Sequence, residues 1–103
     1  MTLHKDASIV QLIQRLKLER RGWAIRDYWE ADLCAIGVSS TPFEGRLVYI
    51  STFGKPTGKY DYQCEQLRSG AREDTDYEII AEGHNVDYDE LVAAIERHLG
   101  SDA

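Results

Sequence analysis

Apolar residues open the chain at helical spacing. Ile9, Leu12, Ile13 and Leu16 occupy positions i, i+3, i+4 and i+7, with Gln11, Gln14 and Arg15 between them. The spacing predicts a helix over residues 6–21, capped by Asp6 or Ser8 and closed by Gly22. Lys17, Arg20 and Arg21 fall in its last turn, where cations complement the helix dipole by ~0.3–1 kcal/mol each. From Trp23 the period changes to two. Residues 23–29 (WAIRDYW) and 32–39 (DLCAIGVS) read as strands joined by a tight connection at Glu30 and Ala31, and residues 39–45 supply turn chemistry. The β-branched and aromatic run RLVYISTF, 46–53, is a strand; GKPTGK, 54–59, turns the chain; YDYQCEQL, 60–67, returns it. Residues 68–74 read as a loop and 75–83 as a last strand.

A second helix closes the chain. In VDYDELVAAIERHLG, Asp87 and Glu90 form a D-x-x-E capping pair, Val86 and Leu91 sit where a hydrophobic staple packs, and Leu91, Val92, Ile95 and Leu99 form the apolar stripe before Gly100. The expected fold is therefore α+β: an antiparallel meander of four to five strands flanked by an N-terminal and a C-terminal helix, with both helices on one face. Residues 1–103 read as a single domain, since neither a linker nor a repeat interrupts them.

Alternation divides the central hairpin between two faces. Tyr60, Tyr62 and Cys64 fall on one, and Asp61, Gln63 and Glu65 on the other; across the turn, Val48 and Ile50 oppose Leu47, Tyr49 and Phe53. One face is expected to pack on the helices. The other mixes carboxylates and tyrosines with no third helix to cover it, which is the composition of a docking surface.

Charge sharpens that expectation. The net charge of −6 is unevenly spread: residues 1–26 carry +4, residues 27–59 carry −1, and residues 60–103 carry −9. An acidic half repels nucleic acid and anionic membrane and attracts cations or a basic protein. With mean hydropathy −0.45, no run of ~18 apolar residues, and an N-terminus whose apolar stretch is interrupted by Gln11, Gln14 and Arg15, the chain reads as soluble and cytoplasmic.

The chain offers little chemistry. His4, His84 and His98 are dispersed and share no ligand spacing with Cys34 or Cys64, so no metal and no cofactor is expected. DTDYE and DYDE do not fit a calcium loop. Both cysteines read as buried thiols without a basic neighbour. GKPTGK has three residues between its glycines, Tyr60 where a magnesium-binding hydroxyl belongs, and a strand after it, so it is not a phosphate loop. Glu30 and Asp32 beside Asp61 or Glu65 would suit hydrolysis only in a deep pocket. Arg15, Lys17, Arg20, Arg21 and Arg26 form a basic patch without a nucleic-acid-binding motif.

The run GWAIRDYWEADLCAIGVSS…RLVYISTFGKPTGKYDYQCE, residues 22–65, with its aromatic sheet, acidic balance and capped last helix, resembles the immunity proteins of bacterial contact-dependent growth inhibition systems. The resemblance implies a cytoplasmic, non-catalytic protein that binds a cognate toxin domain, often a nuclease, and occludes its active site or an adjacent surface. Acidic contacts are expected from Asp61, Glu65, Asp74, Asp76, Tyr77, Asp87 and Asp89, with Tyr60 and Tyr62 as anchors. If those two tyrosines point into the core, the carboxylates of the opposite face remain. The alternatives are a non-catalytic adaptor or regulatory module and, further off, a small enzyme.

Overall fold

A computed structural model describes residues 4–27, 31–42, 45–68 and 76–100. Helix α1 (Ala7–Leu16) and a single turn α2 (Leu18–Arg21) precede strands β1 (Trp23–Ile25), β2 (Ala35–Ser40), β3 (Arg46–Ser51), β4 (Tyr60–Leu67) and β5 (Tyr77–Val86), and helix α3 (Tyr88–Leu99) ends the order. The five strands form one open antiparallel sheet in chain order, the meander that short connections dictate.

The core lies between one sheet face and the helices. Ile9, Leu12 and Leu16 of α1 and Leu91 and Ile95 of α3 meet Trp23, Ile36, Val38, Val48, Ile50, Tyr60 and Cys64. Each α3 contribution follows from the stripe that leaves Glu96 and Arg97 outside. Asp87 Oδ1 accepts from the Glu90 N–H at 2.9 Å, and the Gly100 N–H closes the far end on the Glu96 carbonyl at 2.8 Å.

Several boundaries differ from the sequence pattern for identifiable reasons. The first helix is not continuous to Arg21. Lys17 adopts a left-handed conformation at φ 51°, and α2 restarts so that Leu18 packs against the core. Arg21 does not act through a dipole at a distance: its Nε donates to the Leu16 carbonyl that the break exposes, 2.9 Å away, while its Nη1 pairs with Glu96 at 2.9 Å. β2 starts at Ala35, because Asp32 folds its carboxylate onto the Cys34 N–H and turns the chain there. β1 ends at Ile25, and Tyr28, Trp29 and Glu30 lie outside the described residues. β5 runs to Val86, three residues past the expected end. His98 is buried and bonds the Glu65 carbonyl through Nε2 at 2.8 Å, tying α3 to β4. No described helix is long and apolar enough to cross a membrane.

Candidate interaction surface

The sheet face away from the helices is not uniformly open. Over β2 and β3 it is closed: Ala35, Ser39 and Leu47 are fully buried, and Arg26 reaches across to donate from Nε to Ser39 Oγ at 3.1 Å. The open region is the β4–β5 half, where no residue of β5 is fully buried.

The β4–β5 register decides what this half presents. Cys64 stands opposite Ala81 and Glu65 opposite Ile79, so Ile80 has no partner on β4 and forms a β-bulge. Cys64 and Ala81 belong to the helix-facing side. The register therefore sets Ile79 on the opposite side, with the unpaired Ile80 beside it, and the two are 53% and 50% exposed. Around them on that side the register places Glu65, Gln63, Glu82 and Asp61, with Tyr77 at the strand's start. Two adjacent exposed isoleucines with a carboxylate border have the layout of an interface centre with a polar rim. A bulge also kinks an edge strand and protects it from strand addition, so the surface offered is a face and not an edge.

The border carboxylates are not equivalent. Asp61 is held within the fold: it accepts the Asn85 N–H at 2.8 Å, pairs with Lys55 Nζ at 3.0 Å, and lies 3.8 Å from His84 Nδ1. Partial burial alone would raise its pKa, but the Asn85 bond and the Lys55 and His84 charges outweigh burial and lower it. The Asn85 N–H is available because Asn85 sits at φ 55° in a second β4–β5 irregularity. Glu65 stands in the cross-strand row between Leu47 and Ile79, and burial pushes its carboxyl up. Glu82 is exposed and lies 3.7 Å from His84 Nε2.

The other residues marked in the sequence are dispersed. Tyr60, 7% exposed, belongs to the core, and Tyr62 packs against the core with its ring over Gly83. Both tyrosines point toward the helices, so the carboxylates of the opposite face remain. Asp76 pairs with Arg68 at 3.2 Å beyond one end of the patch. Asp87 is the α3 cap, and Asp89 is exposed in the first turn of α3. Asp74 lies outside the described residues. The structure thus gathers Asp61, Glu65 and Tyr77 from the expected set and adds Ile79, Ile80 and Glu82. Strict alternation across EIIAEG would send one isoleucine inward, so a doubled apolar pair on an otherwise polar edge was the available signal.

Among the described residues no group of three or more His, Cys, Asp or Glu side chains is arranged to hold a metal ion. No family model, curated protein or solved structure matches the chain.

Proposed function

We propose that this protein is a non-catalytic inhibitor of the immunity type, which docks its β4–β5 face onto a basic toxin domain in the cytoplasm and occludes that domain's working surface. The observation that carries the reading is the exposed Ile79–Ile80 pair inside a border of Asp61, Glu65 and Glu82. A second copy is a poor occupant: face-to-face association about a two-fold axis would press this carboxylate border against itself. A basic partner reverses the sign. A nuclease domain presents cations for phosphate, and an acidic inhibitor is steered to it with association accelerated by ~10–10³-fold at low salt. Anchoring then falls to the two isoleucines, and partner choice to the carboxylates.

The test is protection. Cells expressing the basic toxin domain encoded beside this protein should survive when the native chain is co-expressed and die when Glu82→Lys and Ile80→Lys are introduced together. Survival with the double variant, or death with the native chain, would remove the proposal. A sedimentation experiment showing a tight homodimer through this face would replace it with self-association.

A further inference from the structure

The GKPTGK segment does not form a phosphate loop, yet it walls a cleft. This cleft, about 490 Å³, lies between α1 and the β3–β4 turn, on the helix side of the sheet and away from the β4–β5 face. Its size falls in the ~300–1,000 Å³ range of small-molecule sites. Arg15, Lys55 and Lys59 line it, with Asp6 as the one carboxylate among the described residues.

The charges in the cleft are not balanced internally. Asp6 is occupied: Ser8 donates to its carboxylate through both N–H, at 3.0 Å, and Oγ, at 2.6 Å. Lys55 is neutralised by Asp61. Lys59 is half-buried and has no carboxylate partner among the described residues. The Arg15 guanidinium lies 3.7 Å from the Tyr88 ring centroid and also has no carboxylate within reach among them. Arg15 and Lys59 thus bring to one cleft two cations that have no carboxylate partner among the described residues. Tyr60 closes the cleft with a hydroxyl that makes no hydrogen bond to a described residue. A planar fork, an ammonium and a phenolic donor on residues that line one cleft are donors of the kind that the oxygens of a phosphoryl group accept from. Among the described residues no aromatic face lines the cleft on which a nucleobase would stack, apart from the largely buried Tyr60.

We infer that the cleft between α1 and the 54–59 turn is a binding site for a small phosphorylated ligand, held by Arg15, Lys59 and the Tyr60 hydroxyl. The inference does not rest on the inhibitor reading, although the Lys55–Asp61 pair joins the cleft to the border of the β4–β5 face.

Titration of the full-length protein with pyrophosphate, followed by amide NMR and calorimetry, tests it. Saturable binding is expected, with shifts confined to α1 and residues 52–60. Lys59→Gln should weaken binding about tenfold, and Arg15→Gln by a similar factor, as loss of one charge-assisted contact implies. The control is Arg20→Gln, which removes the same unit charge from α2, outside the cleft, and should leave binding unchanged. Citrate, a polyanion without phosphorus, should bind more weakly. The inference is overturned by a lack of saturation at millimolar pyrophosphate, by equal loss in the Arg20→Gln control, or by citrate binding as tightly as pyrophosphate. Because Lys59 lies outside the core cluster, its variant should fold, and its amide spectrum reports that directly.

Discussion

Gly83 faces Tyr62 across the β4–β5 pair, and a methyl group at Gly83 would stand 2.7 Å from Tyr62 Cζ and 3.0 Å from its hydroxyl oxygen. The ring cannot swing away freely, because it packs against the core formed with α1 and α3. Gly83→Ala should therefore force a shift, at a cost of ~1–3 kcal/mol typical of overpacking. For a domain of this size each kcal/mol lowers Tm by roughly 4–8 °C. A second background separates this clash from any other effect. Tyr62→Val keeps a β-branched residue in the strand and cannot reach Gly83; there, Gly83→Ala should be neutral or stabilise by ~0.5–1 kcal/mol, as expected when glycine leaves a strand. Thermal or urea unfolding of the four proteins gives the coupling energy, expected at ~1–4 kcal/mol from the sum of those two effects. Additivity within ~0.5 kcal/mol would refute the reasoning. It would mean that Tyr62 does not lie over Gly83, and the register that turns Ile79 outward would fall with it.

The remaining predictions concern single groups. Asp87→Ala removes the α3 cap and should cost ~1 kcal/mol in urea unfolding, whereas Asp87→Ser should restore most of it. Glu65 has its folded pKa raised above the ordinary 4.5, so its contribution to stability is fully present below that value and is lost as pH rises through the folded pKa. Glu65→Gln should accordingly raise Tm at neutral pH and remove that part of the pH dependence; an unchanged profile would contradict the burial of the carboxyl. Asp61 has the opposite sign: its pKa is lowered below 3.8, so its contribution is present above 3.8 and disappears as pH falls through the folded value. Asp61→Ala should cost ~0.5–1.5 kcal/mol at neutral pH and less in acid, read by unfolding at both.

The helices and the sheet were legible in the chain because their signals are local. Leu91, Ile95 and Leu99 define a stripe, Asp87 caps it, and the alternation of 46–53 and 60–67 separates two faces within each strand. Which face meets the helices was not legible; the structure puts Val48, Ile50, Tyr60, Tyr62 and Cys64 there, so the two tyrosines are not the expected anchors. What escaped the pattern was non-local. The left-handed turn at Lys17 is set by the packing of Leu18, and a lysine announces no such conformation. The bulge at Ile80 is a matter of register between two strands, and one-residue shifts in register move a side chain to the other face. Alternation leaves the whole second face open, whereas in the structure Arg26 bonds Ser39, and Ser39 and Leu47 are fully buried, so the open part is confined to β4–β5. Likewise, Asp61 reads as a free surface acid until Lys55 and the Asn85 N–H are brought to it.

The central claim is that the Ile79–Ile80 face carries the affinity for a basic partner. About half of each isoleucine is exposed. Covering that half should supply ~0.75–1.5 kcal/mol per residue, given ~1.5–3 kcal/mol for burying a whole side chain. The most direct measurement is calorimetric: the Kd for the cognate toxin domain of the native chain and of Ile79→Thr/Ile80→Thr, which keeps β-branching at both positions. The double variant should bind roughly 10- to 150-fold more weakly with Tm nearly unchanged. Equal affinity in a folded double variant would contradict the claim and move the interface elsewhere on the protein.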